Sequence, residues 1–345
     1  MPNHTPFRPA WWLPGPHLPT IWGKFGRKVA PAHDRIEQWS TPDGDRVSVA
    51  LIDPPAVGAP TLVLLHGLEG TVRSTYAQGL MHQARARGWG AAMLIFRTCD
   101  GRIPDVPRLY HSGETTDADF VIRTLVARDP DSRLFCVGVS LGGNVLLKWL
   151  GERGDDVPRQ VGRAAAISTP FDLGAGARHL EHGLARIYSW HFVRTLKRKG
   201  IAALTRHPNL PVDRARMDAS RTFWEFDDSF TAPVHGFSGA AEYYDRSSSI
   251  HYLPKVKVPT LLLSAEDDPF LPPVVLERVR DVARSNPRLE VEFTASGGHV
   301  GWVSGPIWAP RYQMEGRVIS WLASETVAER LNGVGDERVV STEML

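Results

Sequence analysis

Ser140 lies in the run Gly138-Val139-Ser140-Leu141-Gly142, which follows four apolar residues, Leu134 to Val137, and precedes a helix-like segment, Asn144 to Leu150. Small residues on both sides of a serine at a strand-to-helix turn permit a strained backbone, lift the hydroxyl off the sheet edge and aim a helix N-terminus at it. A serine hydroxyl is a weak nucleophile near neutral pH. It needs a histidine to take its proton and a carboxylate to fix the imidazole tautomer and stabilise its charged form. Two later segments supply those types. Thr260 to Ser264 reads as an apolar strand running into Ala265-Glu266-Asp267-Asp268-Pro269-Phe270, and Val291 to Thr294 as a final strand running into Gly297-Gly298-His299-Val300-Gly301. The chain order of serine, acid and histidine is that of nucleophilic acyl transfer on an α/β sheet.

Three carboxylates compete for the orienting role. A frequent register has a small residue three positions before the acid and proline four after it, and Ala265 and Pro272 fit Asp268. Asp267 is the near alternative and Glu266 the last choice. Glycines on both sides of His299 leave room for close approach to the serine. The developing oxyanion needs backbone donors; Leu141, after the nucleophile, is one, and Leu68 in His66-Gly67-Leu68-Glu69-Gly70, after the strand Leu62 to Leu65, is the other. His66 reads as a structural loop histidine.

Placing these groups requires an α/β sheet. Short apolar runs alternate with longer amphipathic stretches, the rhythm of a mostly parallel eight-stranded sheet flanked by helices. Strands are expected at Ile36–Trp39, Val47–Ile52, Thr61–Leu65, Gly90–Phe96, Leu134–Val137, Arg163–Ile167, Thr260–Leu263 and Val291–Thr294. Helices are expected at Thr75–Arg87, Glu114–Ala127, Leu141–Gly151, Pro272–Ser285 and Met314–Ser324. Residues 1–33, with Trp11, Trp12 and Trp22 among prolines, read as an irregular N-terminal arm packed over the core. Residues 34–169 and 259–325 form that core. Residues 170–258, after the sixth strand, read as a helical cap over the carboxyl edge of the sheet. The run Lys197-Arg198-Lys199 in it reads as a solvated helix face, and residues 326–345 as a frayed tail.

The chain has 345 residues, 42% hydrophobic and 23% charged, with a net charge of +2. That is an ordinary globular composition, and the charge is too small to point to nucleic acid. No apolar run nears the ~20 residues of a bilayer span. Cys99 and Cys136 fall in or just after expected buried strands, without zinc or redox spacing, which fits packing in a reducing, cytoplasmic compartment. Phosphate-loop, dinucleotide and metalloprotease motifs are missing, so no cofactor or metal is expected. Serine at the elbow, in place of Asp or Cys, argues against dehalogenase, epoxide hydrolase and dienelactone hydrolase chemistry.

The chain resembles the α/β-hydrolase superfamily, and within it the YheT-like group related to the ABHD1/ABHD3-type esterases. The resemblance is carried by Pro16-His17-Leu18-Pro19-Thr20-Ile21, His66 to Gly70, Tyr110-His111-Ser112-Gly113, Gly138 to Asn144, Phe226-Asp227-Asp228 with Thr231-Ala232-Pro233, Gly236-Phe237, Tyr243-Tyr244, Asp267 to Phe270 and Gly297 to Gly301. It spans most of residues 6–320. It implies a Ser140, Asp268, His299 triad and hydrolysis of a small-molecule carboxylic ester, with short- to medium-chain or lipid-like acyl groups. Acyl transfer to an alcohol and a non-catalytic binding role are the alternatives. Thr98 and Asp100 stand where similar sequences tend to have glycine and serine.

Overall fold

The computed structural model describes residues 7–324. The expected tail, 326–345, lies outside the described residues. Eight strands form one sheet: β1 (Arg35–Ser40), β2 (Arg46–Ile52), β3 (Thr61–Leu65), β4 (Gly90–Ile95), β5 (Leu134–Val139), β6 (Val161–Ile167), β7 (Thr260–Ala265) and β8 (Leu289–Thr294). Their spatial order is β1-β2-β4-β3-β5-β6-β7-β8. β2 is antiparallel to β1 and β4, and the six strands from β4 to β8 are parallel. Every residue of β3, β4 and β5 is buried. Strands covered on both faces must be apolar throughout, which is why these runs show no alternation.

Register sets the site. Leu65 pairs with Gly138, Val139 with Ile167, Ile167 with Leu263 and Ala265 with Thr294. The carboxyl ends of β3, β5, β6, β7 and β8 therefore finish level. β3 leads to β4 on one side and lies beside β5 on the other, so the crevice at its carboxyl end is the switch point of the sheet, where such folds bind ligands.

The helices are α1 (His17–Phe25), α2 (Thr75–Ala86), α3 (Thr116–Arg128), α4 (Leu141–Arg153), α5 (Leu173–His179), α6 (Ala185–Arg206), α7 (Arg214–Ala219), α8 (Phe223–Phe226), α9 (Ala232–Val234), α10 (Ala240–Ser247), α11 (Pro273–Arg284) and α12 (Gln313–Ala323). Asp227–Thr231 is a π-helical turn joining α8 to α9. The segment between β6 and β7 carries α5 to α10 and has an apolar cluster of its own, centred on Val193, Ala203, Met217, Phe226, Phe230 and Tyr243. The main core lies on the two faces of the sheet.

Three expectations are corrected. The N-terminal arm is not irregular throughout, because His17–Phe25 is helical; Pro19 falls in its first turn, where a missing N–H costs nothing. A two-stranded ribbon, β9 (Val303–Ser304) with β10 (Arg311–Tyr312), follows the histidine loop and was not expected. The basic run on α6 is split by helical periodicity. Arg198 is exposed, Lys197 donates to the Ser220 carbonyl at 3.0 Å, and Lys199 turns inward to Glu69.

Candidate active site

Ser140 sits between β5 and α4 with φ 53° and ψ −121°, a conformation that L-residues rarely adopt. Its N–H donates to Ile167 O at 2.8 Å, and its carbonyl accepts from Gly143 N at 2.9 Å. The turn is as tight as backbone allows. A Cβ on Gly138 would lie 2.3 Å from Gly142 O, and one on Gly142 would lie 2.2 Å from Leu65 O. Glycine at both positions follows from this close approach.

His299 projects from the loop after β8. Its Nε2 is 3.0 Å from Ser140 Oγ, and its Nδ1 is 2.8 Å from Asp268 Oδ2 and 3.1 Å from Oδ1. An ionised carboxylate only accepts, so Nδ1 carries the proton and Nε2 is left to accept from the serine hydroxyl. The Asp268 side chain has no exposed surface, and its Oδ1 also accepts from Phe270 N at 2.9 Å. Phe270 stacks on the imidazole at 4.1 Å. Asp267 faces elsewhere: its Oδ1 accepts from Gly298 N at 2.9 Å, and burial pushes its carboxyl above the usual range. Glu266 pairs with Arg280. Of the three acids, Asp268 is the one beside the histidine.

The loop after β3 lies against the elbow. Gly67 N–H donates to Tyr76 OH at 2.8 Å, Glu69 N–H to Tyr110 OH at 3.2 Å, and Gly70 N–H to Gly67 O at 2.9 Å. Among the described residues, the N–H groups of Leu68 and Leu141 have no acceptor, and both residues line the same cavity as Ser140. His66 is wholly buried; its Nδ1 donates to Gly67 O at 2.8 Å and its Nε2 accepts from Phe96 N at 3.1 Å. Burial pushes its pKa down to about 4, so it stays neutral and both ring nitrogens are occupied. That is the structural role read from the sequence.

A cavity of about 690 Å³ opens over Ser140 and His299. Leu173, Leu180, Tyr188, Phe192, Phe223 and Phe226 from the segment between β6 and β7 form much of its wall, while Ile21, Lys24 and Phe25 of α1 border it. The arm thus reaches the site, beyond the packing role expected for it. Thr20 Oγ1 also accepts the His299 backbone N–H at 2.8 Å. Sequence reasoning missed this, although Pro16 to Ile21 was among the segments carrying the resemblance.

Three further groups escaped it. Lys199 Nζ lies 2.6 Å from Glu69 Oε1, which Tyr110 OH also meets at 2.7 Å. The Asn144 side chain, wholly buried, donates to Ser112 O and Ser247 O and accepts from Ser249 N, tying α4 to the inserted segment. Asp227 accepts from Thr231 Oγ1 at 2.5 Å and Tyr244 OH at 2.6 Å, and burial pushes its carboxyl up to about 6.

A family model described as the alpha/beta hydrolase fold matches residues 60–306, and the chain belongs to this family as an esterase/lipase-type member. Within the family it falls in the YheT-like group. It is 37% identical over 314 residues to YheT of Escherichia coli (strain K12), to which esterase activity is ascribed, covering 89% of this chain and 90% of that protein. It is 31% identical over 259 residues to a monoacylglycerol lipase of Saccharomyces cerevisiae, covering 72% of this chain and 57% of the yeast enzyme. Phospholipase ABHD3 of Mus musculus is 28% identical, covering 85% and 74% of the two chains. Among solved structures, the esterase Pf2001 of Pyrococcus furiosus has a TM-score of 0.52 at 17% identity, covering 86% of this chain and 97% of that one. That likeness concerns the fold alone.

Proposed function

We propose that this chain hydrolyses carboxylic esters through an acyl-enzyme, with Ser140 as nucleophile, His299 as general base and acid, and Asp268 as the group that orients the imidazole. The observation that carries the reading is the unbroken series from Asp268 through His299 to Ser140, at 2.8 and 3.0 Å, beside two unengaged N–H groups. Ser140 Oγ attacks the acyl carbonyl as its proton passes to Nε2, and the N–H groups of Leu68 and Leu141 hold the oxyanion. The C–O bond to the alcohol then breaks, and His299 returns the proton to the departing alkoxide. Water, deprotonated by His299, attacks the acyl-serine; the C–Oγ bond breaks, Ser140 Oγ takes the proton back from His299, and the acid is released. This chemistry uses three side chains, two backbone N–H groups and water, and needs no cofactor.

The helices between β6 and β7 serve as the cap in this reading. Their apolar wall suits an acyl chain of medium length or longer. Buried, unpaired Cys99 and Cys136 suit a reducing, cytoplasmic setting. The test is labelling by a fluorophosphonate probe, which goes to Ser140 and vanishes in Ser140→Ala, followed by turnover of p-nitrophenyl esters from acetate to palmitate. Labelling that survives Ser140→Ala overturns the assignment.

A further inference from the structure

Two helices beside the cavity mouth leave an apolar face uncovered. On α1 the exposed side chains are Leu18, Ile21 and Phe25; at the start of α6 they are Leu184, Ile187 and Trp190, between 58 and 62% exposed. The spacings i, i+3, i+7 and i, i+3, i+6 place each set on one helix face. These six are half of the twelve large apolar side chains exposed among the described residues, so the surface is concentrated rather than scattered. The helices are neighbours: His17 Nδ1 meets Tyr188 OH at 3.2 Å, and Lys24 Nζ lies 5.7 Å from the Phe192 ring centroid. Ile21, Phe25, Ile187 and Trp190 also border the cavity. The apolar face is therefore the rim of the opening.

Its charge is one-sided. No Asp or Glu occurs between His17 and Lys28 or between Ala185 and Arg206. Lys24, Lys28, Arg186, Arg194 and Arg198 are exposed, and none forms a salt bridge among the described residues, though Lys24 is close enough to Glu69 to feel its charge. Arg194 lies over Trp190, its guanidinium 5.6 Å from the ring. On a chain with a net charge of only +2, these five cations flank the apolar face with no acidic residue on either helix to offset them. Protein-binding surfaces tend to lose lysine from their centres, whereas interfacial helices combine Trp, Phe and Leu with flanking Lys and Arg. That combination matches acyl chains below a layer of anionic headgroups.

We propose that the face formed by α1 and the start of α6 docks this protein on an anionic phospholipid surface, with the cavity mouth turned towards the acyl chains. An ester would then enter from the bilayer without crossing water. This last clause rests on the hydrolase reading; the docking itself does not.

The test is sedimentation of the full chain carrying Ser140→Ala, so that vesicle lipid is not consumed. Vesicles of phosphatidylcholine alone are compared with vesicles also containing phosphatidylglycerol. Binding is expected to the anionic vesicles and to fall at high salt. Leu18→Ser with Leu184→Ser, and separately Arg194→Glu with Arg198→Glu, each lower the bound fraction at least about five-fold, since apolar insertion and headgroup attraction both contribute. In the Ser140 parent, the same pairs keep the thermal midpoint and the turnover of a soluble short-chain ester. Failure of the hydrolase reading would show in that turnover, not in sedimentation. No binding to either vesicle, or equal binding by all variants, overturns the proposal. So does self-association of the parent that the leucine pair abolishes, which would make the face a contact between copies of this chain.

Discussion

Lys199, on α6, places its Nζ 2.6 Å from the Oε1 of Glu69, in the loop that follows β3. Glu69 has φ 55°, and Leu68, the proposed oxyanion donor, is the residue before it. α6 thereby holds the loop that carries the proposed donor. Losing this tie leaves substrate contacts in place but lets the donor drift. Lys199→Met is expected to lower kcat about ten-fold with KM little changed, less than the ~100-fold or more for deleting a donor outright. Lys199→Arg should recover part of the loss. Unchanged kcat and unchanged fluorophosphonate labelling in Lys199→Met would show that the pair is only structural.

Asp267 and Asp268 are adjacent, yet they face different partners. Asp268→Asn takes the acceptor from His299 Nδ1 and favours the wrong tautomer, so kcat should fall about a thousandfold or more. Asp267→Asn keeps an amide oxygen for the Gly298 N–H and should cost less than about ten-fold. Steady-state rates on one soluble ester decide it, and equal losses would reassign the acid.

Asp227 offers a test by pH. Its folded pKa, about 6, lies above the ordinary value of 3.8 because it is buried. An acid with a raised folded pKa gives stability that is full below about 3.8 and lost as pH rises through about 6. An amide cannot ionise, so the stability of Asp227→Asn relative to the parent should rise by on the order of 2 kcal/mol between pH 4 and pH 7. His66, depressed to about 4, acts in the opposite sense: its contribution is present above 6.5 and lost as pH falls through 4. It is common to both chains and cancels in the difference. Denaturant midpoints at several pH values measure it, and a difference independent of pH would refute the assignment.

Gly142 lies against β3 so closely that a Cβ would meet Leu65 O. Gly142→Ala must push β3 from α4, at a cost of about 1–3 kcal/mol, and move Leu68 with it. Reduced thermal stability together with loss of labelling at Ser140 is expected. A variant that is less stable yet fully labelled would separate packing from catalysis.

The chain order of Ser140, Asp268 and His299 could be read because each follows an apolar run at the end of a strand, and parallel strands bring those ends together. The choice of Asp268 over Asp267 rests on one register rule in the sequence; in space it is the Asp268 carboxylate that faces the ring of His299. What could not be read depends on contacts between distant segments. Thr20 shows no sign of its partner His299, and three consecutive cations do not reveal which one turns inward. Periodicity held part of that answer. Val193, Leu196, Gly200 and Ala203 mark the packed face of α6, and Lys199 lies next to it. The π-helical turn at Asp227–Thr231 has no periodic signature at all.

Thr20 and His299 are 279 residues apart, and their hydrogen bond seats the histidine loop on the arm. Thr20 in turn donates to Pro16 O at 2.7 Å, which completes that seat. Chains are made from the amino end, so Thr20 emerges long before its partner exists. Between the emergence of Ser140 and that of His299, the proposed nucleophile exists without the proposed base. On the proposed mechanism, the hydroxyl becomes reactive only when the loop after β8 closes onto the arm. A chain that has not yet reached that loop has, on the same mechanism, no base for the elbow serine.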